Sequence, residues 1–387
     1  MHDAELDIDF GSDPLPDLHA ILRGIRERTR FARARFHGHP ATLITRYDDV
    51  RAAFRDDEAF PSRAFQEANT VPITGPNLLS MTGQEHRVKR KLIAQTLKPS
   101  AVRAMKESLF SEVAHALVDD FEGKGRADLV HDFTARFSFT IMSRLLGIPS
   151  AYQDRLHGWV QDFFGYAQHP ERALRAKREF DAILLAEIDS RRRVPQDDVL
   201  TELIEVEIEG ARLSEGEILG FVKLLFPAGS DTTYLANGNL LHALLTRPET
   251  LQRVRDVPSD RTKAIEELLR WDPPVTLQPR VNPKTIEWRG HTVEAGSMLF
   301  GVSCANRDPA YYDDGDRFDI DRNCSVPPLT FGNGLHYCVG SHFARSVMAA
   351  ALDAILDRLP GVRLEDDPGV QVQGGSLRGP NRLPVAF

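Results

Sequence analysis

The chain has 387 residues and a formal net charge of −8, a balance that excludes general nucleic-acid binding, because a phosphate backbone calls for a basic surface. No run of eighteen apolar residues occurs, and the N-terminus Met1-His2-Asp3-Ala4-Glu5-Leu6-Asp7 is acidic with no apolar signal core, so neither a membrane span nor a secretory leader is expected. Three cysteines, Cys304, Cys324 and Cys338, are an odd number in a large chain without a signal, which points to a reducing cytoplasm and away from a disulfide framework.

No Pro/Gly/Ser-rich linker, repeat or low-complexity tract divides the sequence, so it reads as one domain over 1–387, long enough to enclose a cofactor. The chain is mainly helical, with small β regions near 34–46, 280–302 and 361–387. A strand is expected at Thr42–Thr45 after the Gly38-His39-Pro40 turn, then a short helix from Asp48 to Phe54. Residues 62–80 have weak periodicity and carry Asn69, Pro72, Gly75, Pro76 and Asn77; they read as a long loop of the functional kind. Helical patterns follow at about 83–97, 101–121, 132–146, 151–168 and 171–193. The first opens a basic run: from His86 to Lys106 the chain carries Arg87, Lys89, Arg90, Lys91, Lys98, Arg103 and Lys106 with no acid.

The longest helix should start near Ser214, where Ser214 and Glu217 form a capping box, and should end at about Thr246, before Arg247-Pro248. That is roughly 32 residues or ~48 Å. It contains Phe226-Pro227-Ala228-Gly229-Ser230-Asp231-Thr232-Thr233, in which a proline and a glycine weaken the helix ladder, predicting a local kink. Another helix opens at Pro248-Glu249, and one from Asp260 to Trp271 stops at Pro273-Pro274. Within it Glu267 and Arg270 share a face at i, i+3. Strand-like pieces follow at Ile286–Arg289, His291–Val293 and Ser297–Val302, with Cys304 in a strand-like run, then a proline- and aspartate-rich meander from Asn306 to Pro328. The final strands are expected at Gly361–Leu364 and Leu383–Phe387.

Before those last strands comes Phe331-Gly332-Asn333-Gly334-Leu335-His336-Tyr337-Cys338-Val339-Gly340. Gly332, Gly334 and Gly340 permit backbone geometry that side chains forbid. The apolar period after Cys338 reads as a helix, whose free N–H groups and positive dipole end favour a thiolate, the metal-ligating form. His336, Cys338 and His342 would offer zinc three ligands, but a structural zinc site wants four.

Phe331, Gly334, Cys338 and Gly340 match Phe-x-x-Gly-x-x-x-Cys-x-Gly, and the segment resembles the heme-binding loop of the cytochrome P-450 superfamily, which implies Cys338 as the axial thiolate of a heme b iron. Ala228-Gly229-Ser230-Asp231-Thr232-Thr233 resembles the family's oxygen-binding motif. Its acid and alcohol, Asp231 and Thr232, would deliver protons to the distal oxygen when the O–O bond is cleaved. Glu267 and Arg270 resemble the Glu-x-x-Arg motif, a structural pair to which Arg317 in the meander is the best match for a third member. His86 and Arg90 resemble a His-x-x-x-Arg pair for the heme propionates, which Arg280 and His336 would complete. Thr82-Gly83-Gln84-Glu85 departs from the usual Asp-Pro-Pro lead-in. The resemblance runs from about residue 40 to the C-terminus.

It implies a P-450-like fold with a long central helix over heme. The implied enzyme is a monomeric, cytoplasmic monooxygenase that takes O2 and a small to medium hydrophobic or aromatic substrate. Electrons would come from NAD(P)H through a ferredoxin-type donor and its reductase, because no Gly-x-Gly-x-x-Gly dinucleotide fingerprint follows a strand. Pocket walls are expected from 62–80, 155–170, Leu224–Ala228, Val275–Gln278 and Gly374–Leu377. The rival readings are a peroxide-driven or atypical heme-thiolate oxidase, which the Asp231-Thr232 pair disfavours, and a non-enzymatic all-helical ligand-binding protein.

Overall fold

The structure, a computed structural model, describes residues 4–208 and 210–387. Helices dominate, and the core follows from their apolar faces. The central helix is Glu215–Leu245, 31 residues, with the capping box closed by the Ser214 side chain and Glu217 and a length of about 46 Å. Pro227 lies inside it without ending it. Most of its residues are buried, because other helices cover it on several sides. It approaches its neighbours closely where glycine removes the side chain: a Cβ on Gly229 would lie 2.5 Å from Met142 Sδ, and one on Gly220 would lie 2.5 Å from the Pro76 carbonyl. Among the described residues, no helix is long and apolar enough to cross a membrane.

Helices stand where the periodicity puts them at Tyr47–Arg55, Gly83–Thr96, Gln153–Phe164, Pro170–Arg193, Pro248–Asp256 and Asp260–Trp271. The stretch expected as one helix over 101–121 is Pro99–Met105 and Ser111–Asp119 joined by a wider π turn, Lys106–Phe110, and a second π turn, Leu129–Thr134, leads into Ala135–Leu145. The 62–80 segment is not the long loop expected. It forms helices Ser62–Asn69 and Val71–Thr74, with Pro72 in the first turn of the second and Gly75 ending it at φ +77°. The turn residues there punctuate short helices. Helix Val199–Glu205, capped by Asp198, has no counterpart in the sequence reading, being too short to show a period. Cys304, expected in a strand, lies in the short helix Val302–Ala305.

The main sheet runs in the order Ala4–Asp9, Phe31–Phe36, His39–Ile44, Gly296–Gly301, Leu277–Asn282. The first and second strands pair in parallel, as do the third and fourth; the other pairs are antiparallel. Three smaller sheets use Ile286–Trp288 with His291–Val293, Val372–Gln373 with Gly379–Pro380, and Pro384–Ala386 between Arg126–Asp128 and Arg363–Leu364.

The meander is fastened to helix Asp260–Trp271 by a buried charge cluster. Arg270 is fully buried and pairs with Glu267 at 2.6 Å. It also donates to the carbonyls of Asn306 (2.9 Å), Gly315 (2.8 Å) and Arg317 (3.1 Å). The third member is Arg322 and not Arg317: the buried Arg322 Nε lies 3.3 Å from Glu267 Oε1, whereas the exposed Arg317 side chain turns outward to Asp319. Arg317 contributes only its carbonyl, since the chain turns its side chain away from the carboxylate. Truncating a partner in a buried charge cluster costs about 3–5 kcal/mol, and an exposed pair about 0–1 kcal/mol. Urea unfolding of Arg322→Ala should therefore show a loss of a few kcal/mol and that of Arg317→Ala nearly none; equal losses would reverse the correction.

Candidate active site

Four segments enclose one internal cavity of about 320 Å³: the central helix, helix Gly83–Thr96, strand Leu277–Asn282 and the 331–340 loop. His86, Arg90, Ala228, Gly229, Thr232, Arg280, Phe331, Gly332, His336, Cys338 and Gly340 all open on it. Residues from four separate stretches of sequence thus meet at one place. Asp231 does not: neighbours on a helix diverge by about 100°, so Thr232 faces the cavity while Asp231 is buried elsewhere. The Thr232 hydroxyl donates to the Ala228 carbonyl at 2.7 Å. The acid and the alcohol are therefore not a hydrogen-bonded pair.

The loop is shaped by two left-handed glycines, Gly332 at φ +75° and Gly334 at φ +78°, and a Cβ on Gly334 would press on the Phe54 carbonyl at 3.0 Å. Gly340 is different: its φ is −87°, which any residue adopts, and a Cβ there would sit 3.9 Å from Cys338 Sγ. Space beside the sulfur, not backbone freedom, is what Gly340 provides. The Cys338 amide donates to the Phe331 carbonyl at 2.9 Å, closing the loop. Helix Ser341–Arg358 starts three residues later. The accessible surface of Cys338 faces the cavity. Burial pushes its thiol up, while the Gly340 N–H, Arg90 and Arg345 pull it down.

The other cysteines are built differently. Cys304 is buried, receives a hydrogen bond from Arg26 at 3.3 Å, and is pushed up to about 12 by burial, so it stays a thiol. Cys324 is exposed in the meander. Neither opens on the cavity.

One wall is an unfilled anion cradle. The His86 and His336 rings stand 4.8 Å apart, edge to face, and both nitrogens of each ring are buried without a hydrogen-bond partner. Asp57 Oδ1 is 3.5 Å from His336 Nε2, at the limit of an ion pair and too poorly aligned for a hydrogen bond. Burial, with the His336 ring and Arg90 adding to it, lowers His86 to about 4. Arg280 is buried beside them, its guanidinium lowered to about 10 by burial and partly restored by Asp57. Arg90, half-buried, donates to the Tyr337 carbonyl at 2.5 Å. Four unpartnered ring nitrogens and two guanidiniums in one apolar-roofed cavity, with a thiol beneath, fit a planar group bearing carboxylates and a thiolate-seeking metal: the heme that the loop motif implies.

The remaining walls agree in part with the sequence. Leu78, Leu79, Leu224, Leu225, Val275 and Gln278 line the cavity as expected. Gln66, in the expected 62–80 segment, lines it too, whereas neither 155–170 nor Gly374–Leu377 reaches it; Met142, Leu145 and Leu146 from the helix Ala135–Leu145 and its end do so, as does Phe54. An apolar helix face toward a cavity and one toward the core have the same sequence pattern, so periodicity could not single these residues out.

Comparison with known proteins follows the same lines. The family model described as cytochrome P450 matches residues 17–256 and 262–373. The mycinamicin IV hydroxylase/epoxidase of Micromonospora griseorubida is 35% identical over 391 residues, covering 97% of this chain and 98% of that protein. Among solved structures, the LnmA cytochrome P450 hydroxylase from the leinamycin biosynthetic pathway of Streptomyces atroolivaceus superposes with a TM-score of 0.84 at 34% identity, covering 99% of this chain and 100% of that one. Cytochrome P450 CYP109Q5 from Chondromyces apiculatus gives 0.89 at 26% identity, covering 99% and 98%. The family model covers most of the chain and these relatives span nearly all of it, so the protein belongs to the cytochrome P450 family of heme-thiolate monooxygenases.

Proposed function

We propose that Cys338 is the axial ligand, that His86, Arg90, Arg280 and His336 hold the heme propionates, and that the enzyme oxidises a small to medium hydrophobic molecule. The observation that carries the reading is that Cys338 and Thr232 open on one cavity whose edge carries four unpartnered ring nitrogens of His86 and His336 beside the guanidiniums of Arg90 and Arg280. When bound, the heme supplies activation of O2 and transfer of one oxygen atom to the substrate. The chain's own residues do the rest. Cys338 Sγ would bind as a thiolate, which the Gly340 N–H, Arg90 and Arg345 favour against the burial that raises its thiol. The cradle would hold the propionates. Leu78, Leu79, Leu224, Leu225 and Val275 desolvate an apolar substrate. Ala228 and Gly229 open on the cavity from the central helix, on the face that would meet the bound cofactor.

Asp231 supports a role as a proton store. Desolvation pushes its carboxyl up to about 7, so at neutral pH it is protonated part of the time, where an ordinary aspartate is ionised. Thr232 Oγ1, inside the cavity, is placed to pass a proton on through water. The mycinamicin IV hydroxylase relationship favours a secondary metabolite of that hydrophobic kind as substrate. With no dinucleotide motif in the chain, electrons arrive from a separate donor, and the three free cysteines suit a reducing cytoplasm. The enzyme works as a single-domain monomer.

The basic run from His86 to Lys106 is the donor site in this reading, in a narrower form than its sequence suggests. Lys89 is held by Glu217 (2.8 Å), Lys106 by Asp353 (3.2 Å), and Arg90 turns into the cavity. Arg87, Lys98 and Arg103 remain exposed to an acidic ferredoxin.

Four outcomes are expected. Cys338→Ser should abolish the thiolate signature in the reduced carbon monoxide difference spectrum, while Cys304→Ser and Cys324→Ser keep it; a normal spectrum in Cys338→Ser sinks the assignment. Product formed per NAD(P)H consumed should fall in Thr232→Ala, with reducing equivalents diverted to peroxide. In the wild type the same ratio should decline as pH rises through about 7, because the raised carboxyl keeps its proton below that pH and loses it above; Asp231→Asn should flatten the profile. Reduction by a ferredoxin should slow with ionic strength and in Arg103→Glu without a change in substrate affinity; insensitivity to both would place the donor elsewhere.

A further inference from the structure

A buried polar side chain with no partner costs free energy until something supplies one. Gln66 is such a side chain, and its place in the fold shows where a partner can come from. It lies in the helix Ser62–Asn69, is 4% exposed, and lines the cavity. Its Oε1 is buried without a hydrogen-bond partner, and among the described residues its Nε2 makes no hydrogen bond either. The same helix packs against the strand Leu277–Asn282. Gln278 of that strand also lines the cavity, and its Nε2 makes only a long contact of 3.4 Å to the neighbouring Pro279 carbonyl. Two hydroxyls of the cavity are already committed: Thr232 donates to the Ala228 carbonyl and Thr330 to that of Leu269. The other cavity residues of the 62–80 segment, Leu78 and Leu79, are apolar.

We propose that Gln66 is a specificity-determining residue whose amide hydrogen-bonds a neutral oxygen, a hydroxyl or carbonyl, carried by an otherwise hydrophobic substrate. The proposal rests on the reading of this cavity as the place where a hydrophobic molecule is oxidised. An amide suits a neutral oxygen, because Nε2 donates to a carbonyl or hydroxyl oxygen and Oε1 accepts from a hydroxyl. A carboxylate is better met by the cations at the cavity edge, where Arg90 and Arg280 stand beside two histidines. A buried amide also discriminates. A molecule without the oxygen leaves Gln66 unpaired in an apolar pocket, whereas one that has it satisfies both groups. An anchored oxygen restricts how the rest of the molecule lies, so the same bond favours one site of oxidation over others.

The test uses probes that enter the cavity whatever the natural substrate is. N-alkylimidazoles with tails from butyl to decyl ligate the heme of the holoenzyme, and the shift of its Soret band reports their dissociation constants. Each is compared with its counterpart bearing a terminal hydroxyl. In an apolar cavity that hydroxyl weakens binding. At the tail length that reaches Gln66 the penalty should vanish. Gln66→Met keeps the size of the side chain and removes its amide, so it should bring the penalty back, weakening the hydroxyl probe about tenfold, as expected for the loss of one buried hydrogen bond, and leaving the alkyl probe unchanged or tighter. A hydroxyl penalty that is the same at every tail length in the wild type overturns the proposal without recourse to the variant, and so does an equal penalty in the wild type and Gln66→Met. Failure of Gln66→Met to retain heme assigns the amide to the propionates and overturns it as well. If no imidazole shifts the Soret band of the wild type, the reading of the cavity itself fails; a normal shift with a uniform hydroxyl penalty sinks only the role of Gln66.

Discussion

A guanidinium with no access to water must be neutralised where it sits, and in this protein that requirement organises the floor of the active site. Arg270 is the largest fully buried side chain that carries a charge. Glu267 takes its charge, and the carbonyls of Asn306, Gly315 and Arg317 take its remaining donors. Because those carbonyls belong to the meander, the arginine cannot be satisfied until the meander has folded back on helix Asp260–Trp271. The consequence reaches the cysteine loop directly. Asn306, whose carbonyl is held by Arg270, uses its side chain to accept from the Leu329 amide at 2.7 Å and to donate to Thr330 at 2.9 Å. Thr330 in turn donates to the Leu269 carbonyl. Phe331, the first residue of the loop that ends in Cys338, follows at once. A buried charge two steps from the chemistry therefore sets where the sulfur lies. Buried ionic clusters of this kind specify geometry more than they add stability.

The cavity joins two chemically different surfaces. Helix faces and leucines supply an apolar roof, while the edge carries His86, His336, Arg90 and Arg280. Buried polar groups without partners are costly, and here four ring nitrogens stand unpartnered side by side. Binding of a group with carboxylates at that edge would relieve the cost. The same low-dielectric surroundings act on Asp231 in the opposite sense, holding a proton on it because nothing nearby compensates its charge. Burial thus prepares one wall for anions and makes one carboxyl hold its proton.

Much of this was legible in the linear chain. The cysteine loop, the extent of the central helix with its Ser214–Glu217 box, and the alignment of His86 with Arg90 follow from local rules: glycine spacing, capping chemistry and the helical period. His86, Arg90 and His336 stand out because each sits inside a short motif, and Arg280 because it follows the Glu-x-x-Arg helix. The structure departs from expectation where local sequence is silent. Arg317 and Arg322 are both arginines in the meander, and only the path of the backbone decides which side chain turns toward Glu267. Asp231 and Thr232 are adjacent in sequence, yet the helix sends them to different compartments. Residues 62–80 carry turn formers that end short helices as readily as they form loops.

The sequence by itself determined the elements, the identity of the sulfur-bearing loop and the residue types able to hold a charged planar cofactor, because those are properties of neighbours along the chain. The tertiary structure decided which side chains meet. It took Lys89 and Lys106 out of the basic run by pairing them with Glu217 and Asp353. It brought Met142 against Gly229, and set Tyr234 and His157 in one seam. The physical reason is that an apolar face has no address of its own: packing assigns its partner, and residues far apart in sequence become neighbours only when whole helices are placed.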